Sequence, residues 1–394
     1  MQQQGTVTQL TLFAEDEGRK PRIPNGKRKY YGVPYKGSKN QLAENLCDQI
    51  PSADIFIDLF AGGCAVTHRM LQLNKYKRYI ANDLDGQGVT LFCDAAKGKY
   101  HDETRWITRE EFLAKKATDS YIAIVWSFGN NQKDYLYSKE ITEWKHALHL
   151  ARVFGDFSLL REMGINGDGS RADVVAHKTE YKEKYIKWWI SKQQYLLRAL
   201  KASGPTQREV GQRLGVQMDG NYFGKSQWTL PQSLQSLQSL ERLERLQSLQ
   251  SLERLERLEV SRKDYREVEI PDGAVVYGDP PYKGTNQYKN AAFDSAAFYD
   301  WCGKQKTLVI ISEYAMPDDR FACVWSKTHT SKICSKGASK CVERLFVPRH
   351  QLALYRQLQN REKMRQLSLF AEEFTTDGSI IFTRQGQNNN TNET

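Results

Sequence analysis

The sequence has no apolar run long enough to span a bilayer, and Met1-Gln2-Gln3-Gln4 lacks the basic and apolar regions of a secretory leader. No membrane is expected, and the compartment is read as cytoplasmic. Seven cysteines without a Cys-x-x-Cys pair argue against a zinc site and suit a reducing environment, so no metal is expected. The Gly-x-Gly-x-x-Gly spacing that cradles a dinucleotide pyrophosphate is missing, and nothing resembles a nuclease centre. Acidic residues are in deficit: 47 Asp+Glu stand against 57 Lys+Arg, a net charge of +10. That excess suits a polyanionic partner, although basic surfaces also occur without nucleic acid. With 394 residues the chain can bury a sizeable core, and it is expected as a monomer or weak dimer.

The most informative segment present is Asp279-Pro280-Pro281-Tyr282, which follows the apolar run Ala274-Val275-Val276-Tyr277 and Gly278. This pattern predicts a buried parallel strand ending at a rigid turn. Ligands of open α/β sheets bind beyond the carboxyl ends of the strands. Each proline fixes φ and removes an N–H donor, which frees carbonyls for a ligand. A carboxylate, a carbonyl and an aromatic face would together suit a planar base with an exocyclic amine. A surface turn with a chance Pro-Pro would give the same tetrapeptide, so its context matters.

Upstream, Ile55-Phe56-Ile57-Asp58-Leu59-Phe60 predicts a second buried strand, followed by Ala61-Gly62-Gly63 and a helix from Cys64 to Leu73. Strand, glycine turn and helix make the first unit of a Rossmann-like sheet, in which glycines let the backbone approach a cofactor containing a nucleotide. Tyr79-Ile80-Ala81-Asn82-Asp83 reads as the next strand, ending in an acid where ribose hydroxyls are usually bound. A generic nucleotide fold would account for these two elements alone.

Taken together and in this order, the motifs resemble those of S-adenosylmethionine-dependent DNA adenine-N6 methyltransferases whose cofactor half precedes the Asp-Pro-Pro-Tyr half. In Tyr35-Lys36-Gly37-Ser38-Lys39, which takes the place of a Trp-Ala-Gly-Gly-Lys motif, Tyr stands for Trp, Lys for Ala and Ser for Gly. The resemblance implies cofactor contacts from Tyr35, Lys39, Asp58, Phe60, Gly62, Gly63, Asp83, Asp264 and Asp279, and a catalytic group of Asp279, Pro280, Pro281 and Tyr282. It also implies later strands at Ile310-Ile311-Ser312-Glu313-Tyr314 and Glu343-Arg344-Leu345-Phe346-Val347, and covers roughly residues 28–125 and 262–350.

The implied fold is α/β, a Rossmann-like methyltransferase sheet with an inserted, mainly helical target-recognition region. The implied reaction is methyl transfer from S-adenosylmethionine to the exocyclic amine of an adenine flipped out of double-stranded DNA. The Asp279 carboxylate and Pro280 carbonyl would accept the amine hydrogens, and Tyr282 would stack on the base. Two alternatives remain at this stage. One is a non-catalytic DNA-binding protein that keeps the fold; intact Asp279, Tyr282, Lys39 and Asp83 speak against it. The other is cytosine-N4 methylation, against which the acidic residue at 279 argues.

The chain is divided by this reading into a tail at 1–27, a cofactor half at 28–125, a recognition insertion at 126–233, a leucine triplet repeat at 234–260, a catalytic half at 261–350 and a polar tail at 351–394. Within the insertion, the amide-rich stretch from Trp126 to Gln132 places Asn130 and Asn131 as DNA contacts, or makes an ordinary turn. Tyr181 to Lys201 predicts a long basic amphipathic helix, with Trp188, Trp189, Leu196 and Leu197 available for burial. The stretch from Pro205 to Val216 resembles the start of a helix-turn-helix. Tyr222, Lys225 and Gln227 beyond it would then approach the major groove; helical packing is the competing reading.

In the repeat, leucines recur every third residue from Leu234 to Leu258, separated by Gln-Ser or Glu-Arg pairs. Period three matches neither 3.6 nor 2, yet the residues are good helix formers, so a helical or solenoid-like excursion is expected. Near the two ends, Gln9-Leu10-Thr11-Leu12-Phe13 and Gln366-Leu367-Ser368-Leu369-Phe370 are near copies. Both resemble the pentapeptide with which bacterial DNA-processing proteins dock on the replication sliding clamp. Gln9, Leu12, Phe13, Gln366, Leu369 and Phe370 would be the clamp contacts, unless the peptides pack on the body of the protein.

Overall fold

The computed structural model describes residues 29–202, 235–249, 252–281, 293–316, 319–331 and 339–375. These form two compact units, each discontinuous in sequence. One contains the described residues up to Gly37 together with Thr90–Leu252; the other contains Ser38–Val89 and the described residues from Glu253 onward. The boundary near residue 90 assigns residues 90–125, expected in the cofactor half, to the same unit as the insertion.

The second unit is built on one seven-stranded sheet. Its strands are β1 (Ile55–Asp58), β2 (Arg78–Asn82), β3 (Leu258–Ser261), β4 (Val275–Gly278), β5 (Leu308–Glu313), β6 (Phe321–Ser331) and β7 (Ser339–Pro348). The order is β3-β2-β1-β4-β5-β7-β6. The first five strands run parallel, and β7 pairs antiparallel with both β5 and β6. This is the Rossmann-like α/β arrangement expected, and the predicted strands overlap β1, β2, β4, β5 and β7, with ends that differ by one or two residues in the first four. All residues of β4 and β5 are buried, as two-sided coverage of a parallel sheet requires. A core of Ile57, Val276, Val309, Ile311, Phe298 and Phe346 anchors them.

Chain order places the site. From β1 the chain moves outward to β2 and β3, then crosses to β4 on the opposite side of β1. The crevice at such a switch point opens beyond the carboxyl ends of β1 and β4. Asp58 ends β1, opposite Tyr277 of β4, and Asp279 follows two residues later.

The other described unit is helical and rich in aromatic contacts. Trp106 stacks on Tyr137 with ring centroids 5.6 Å apart and meets Trp126 edge-on at 5.0 Å. The long helix Lys178–Ala202 buries Tyr181, Tyr185 and Trp189, spaced four residues apart on one face. Trp188 is half-buried and donates its indole N–H to Glu162 at 3.0 Å. The helix-turn-helix segment, with Tyr222, Lys225 and Gln227, lies outside the described residues, as do Gln9, Leu12 and Phe13.

Two segments take a definite form that their composition did not specify. The stretch from residue 352, read as a polar tail, begins with the helix Leu352–Thr375, on which Gln366, Leu369 and Phe370 fall. It contains no Gly or Pro, and Tyr355 anchors its first turns by donating to the Gln49 carbonyl at 3.0 Å. The leucine repeat, expected as a helical or solenoid-like excursion, is helical over Gln238–Gln247. Its triplets group into a twelve-residue unit, 234–245, repeated without change at 246–257. The first copy contributes most of the helix Gln238–Gln247; the second passes through a short 3-10 turn (Leu255–Arg257) and runs into edge strand β3 at Leu258. Leucines three apart drift about 60° per step around an α-helix, so a short helix still keeps Leu243 and Leu246 buried on one face.

The arginines of the two copies differ accordingly. Arg242 donates to the carbonyls of Val125 and Ser127, and Arg245 to those of Gly32 and Tyr31. Arg254, the counterpart of Arg242, adopts a left-handed φ of 65° and pairs with Glu253 at 3.0 Å, and Arg257, the counterpart of Arg245, donates to Asn74 at 3.0 Å. Arg242→Ala should therefore lower unfolding stability by about 1–3 kcal/mol, by stranding two carbonyls. Arg254→Gly should be neutral or stabilise by about 1 kcal/mol, through relief of the left-handed backbone. Urea denaturation of both variants measures the contrast.

Candidate active site

β1 and β2 deliver the first half of the site. After Asp58 the chain turns through Leu59 to Gly63, with Gly62 at φ 49°, before the helix Ala65–Leu73. The Gly62 N–H donates to the Asp83 carboxylate at 2.9 Å, and Asp85 and Gly86 donate to its other oxygen at 3.0 and 3.2 Å. Asp83 thus ties the loop after β1 to the end of β2. Burial pushes its carboxyl up, against the pull of these N–H groups.

Asp58 is buried and accepts from the Thr67 hydroxyl at 2.7 Å. Its other oxygen, Oδ1, has no hydrogen-bond partner among the described residues. Burial pushes this carboxyl up to about 7. An orphaned buried carboxylate oxygen beside a glycine turn fits a ligand that brings a cation or donor, such as the ammonium of a methionine moiety.

β4 delivers Asp279 and the buried Pro280. A side chain at Gly278 would meet the Phe298 ring at 3.1 Å, so a glycine lets the strand end close to the aromatic packing beneath it. That packing includes Phe60, edge-on to Phe298 and Phe293 at 5.3 and 5.6 Å. The Lys39 ammonium lies 3.0 Å from Asp279 Oδ1 and 3.6 Å from Glu343 Oε2. Burial works against the charge on Lys39, but the two carboxylates outweigh it and raise its pKa. Glu313, at the end of β5, is pushed up to about 7 by burial, with Asp279 adding to the shift.

One unit therefore holds Lys39, Asp58, Phe60, Gly62, Gly63, Asp83, Asp279, Pro280 and Pro281. Tyr35 belongs to the helical unit, where Gln132 donates to its hydroxyl at 3.5 Å. Asp264 shares the sheet unit, but its carboxylate caps the turn at Tyr265–Glu267 and pairs with Arg266 at 2.7 Å. Tyr282 lies outside the described residues.

In the helical unit, Asn130 donates to the Ile124 carbonyl at 2.9 Å, while Asn131 bonds Asp134 at 2.7 Å and accepts from the Lys133 and Asp134 N–H groups. Both amides shape their loop, whose exposed aromatic is Phe128, 65% accessible. Sequence reasoning passed over Phe128, Ser312, Glu313 and Glu343. The available signal for Glu343 was a charged residue inside an apolar strand pattern, which requires a buried partner.

Residues 35–203 match the family model of the D12 class N6 adenine-specific DNA methyltransferases. The matched stretch includes Lys39, Asp58 and Asp83 and stops short of Asp279. No curated protein matches the chain.

The raised Asp58 carboxyl has a definite pH signature. A carboxyl whose folded pKa lies above its unfolded value supports stability at low pH, and that contribution is lost as pH rises through about 7. Asp58→Asn should therefore stabilise the protein by about 2–4 kcal/mol at pH 8, with no gain near pH 4. Urea denaturation at the two pH values reads the difference.

Proposed function

We infer that this chain, which belongs to the D12 class of N6 adenine-specific DNA methyltransferases, methylates its target adenine at the Asp279 end of β4. The family uses S-adenosylmethionine, which supplies an electrophilic methyl group on a sulfonium centre. Asp58, Phe60, Gly62, Gly63 and Asp83 would hold this cofactor. The orphaned oxygen of Asp58 suits its ammonium, and Asp83, fixed by three backbone N–H groups, suits its ribose hydroxyls. The observation that carries the assignment is the position of Asp279 beside the β1 turn, at the switch point of the sheet.

The residues act mainly by orientation, which is worth about 7–11 kcal/mol in favourable cases. An adenine amine is a weak nucleophile because its lone pair is delocalised into the ring. Asp279 and the Pro280 carbonyl accept its two hydrogens and direct the lone pair toward the methyl group. Tyr282 stacks on the everted base. Asp264 remains a weaker cofactor contact, since its carboxylate is engaged by Arg266.

DNA contacts are assigned to the insertion, with Tyr222, Lys225 and Gln227 reading the sequence. Asn130 and Asn131 hold the loop that presents Phe128, an apolar ring suited to contact beside an unstacked base. The net charge of +10 favours phosphate binding. The near-duplicate peptides at Gln9–Phe13 and Gln366–Phe370 would tether the enzyme to a sliding clamp through Leu12, Phe13, Leu369 and Phe370. Helix Leu352–Thr375 would present the second peptide in helical form or release it on docking.

Two experiments test this reading. Expression in a methylation-free host should leave N6-methyladenine at a defined sequence. Asp279→Ala should lower the rate at least about 10²-fold while cofactor affinity persists. Unmodified host DNA, or an Asp279→Ala protein at the parent rate, rejects the assignment. For the tether, a purified clamp should bind the parent and lose the Phe13→Ala, Phe370→Ala double variant; no complex at tens of micromolar rejects it.

A further inference from the structure

Asp279 cannot accept an amine hydrogen freely while Lys39 sits on it. The ammonium lies 3.0 Å from Oδ1, one of the two oxygens through which Asp279 can accept, and its charge weakens both as acceptors. A cation left there would compete for the acceptor and oppose the positive charge that develops on nitrogen as the methyl group arrives. Lys39 and Asp279 are nearly buried, with side-chain exposures of 10% and 16%, so a displaced ammonium needs another anion close by rather than solvent.

Glu343 is that anion. Its side chain is 1% exposed, and Oε2 lies 3.6 Å from the same ammonium. Its other oxygen, Oε1, accepts from the Ser312 hydroxyl at 2.7 Å. The strand register explains the pairing: Ser312 stands opposite Leu345 on antiparallel β7, and Glu343 is two residues along on the same face. One oxygen is thus anchored to β5 and the other faces Lys39, and a shift of under about 1 Å would close it to the 2.7–2.9 Å of a charge-assisted bond. The remaining titratable groups coupled to Lys39 include Tyr314, and Glu313 couples to both Asp279 and Lys39.

We propose that Glu343, anchored by Ser312, is a positioning residue that takes Lys39 from Asp279 when the target amine binds, which frees Asp279 to act as acceptor. The proposal rests on the adenine-methylating role of Asp279 and adds to it a fixed second seat for the lysine. No covalent step is involved, since only the ion pair changes partner.

The test compares single-turnover methylation by the full-length parent, Glu343→Gln, Lys39→Gln and the double variant. Glutamine keeps an acceptor for Ser312 and removes only the charge. Glu343→Gln should lower the methylation rate by up to about 10²-fold, because Lys39 stays on Asp279. Cofactor affinity should hold within about twofold, a split that a merely structural role would not produce. The double variant should recover part of the rate lost in Glu343→Gln, since no ammonium remains to block Asp279. If Glu343→Gln fails to fold, Glu343→Asp, which keeps the charge on a shorter arm, should give an intermediate rate at parental cofactor affinity. A parental rate in Glu343→Gln, or a double variant no faster than it, overturns the proposal and leaves the adenine assignment standing. A parent that methylates no adenine overturns both.

Discussion

A single buried ammonium organises the catalytic end of the sheet. Lys39 stands between Asp279, which follows β4, and Glu343 of β7, and so offsets part of the negative charge of the two carboxylates. Without it, a low-dielectric corner would hold unpaired negative charge, which folded proteins avoid. The two carboxylates raise the pKa of Lys39 against the effect of burial, while burial, with Asp279 adding to it, raises that of neighbouring Glu313. The sheet can afford Asp279 at its switch point because Lys39 arrives from a segment that precedes β1 by sixteen residues.

Around this pair, each strand end adds a group of a different kind. β1 gives Asp58 and the glycine turn, β2 gives Asp83, and β4 gives Asp279 with its prolines. The carboxylates are not equivalent. Asp83 is held by three backbone donors, Asp58 keeps an orphaned oxygen, and Asp279 is ion-paired. Environment, not residue type, thus separates a rigidly held candidate for ribose, a candidate seat for an ammonium and an ion-paired candidate acceptor.

Much of this was legible in the sequence because the relevant signals are local. Apolar β-branched runs ending in Gly or Asp marked β1, β2 and β4, and the family resemblance placed Asp58, Asp83 and Asp279 at their ends. Less was legible where contacts are distant in sequence, or where a polar side chain is taken up by its own loop or turn. Lys39 was expected at the cofactor and meets Asp279, 240 positions on, while Glu343 reads as one more strand residue. Asn130 and Asn131 resembled DNA contacts by composition, yet their amides bond their own loop. Asp264 fell where an adenine contact was expected and is engaged by Arg266 two residues away.

The repeat separates the two levels most clearly. Residues 234–245 and 246–257 are identical, so every local propensity is the same in both. Sequence alone determined that both copies favour helix and carry leucine and arginine at fixed intervals. Only tertiary structure decided that the first copy coils, buries Leu237 and Leu243 and caps carbonyls with Arg242 and Arg245, while the second unwinds toward β3. The reason is that backbone pairing with β2 and a set of waiting carbonyls are properties of the surroundings, which no window of the chain contains.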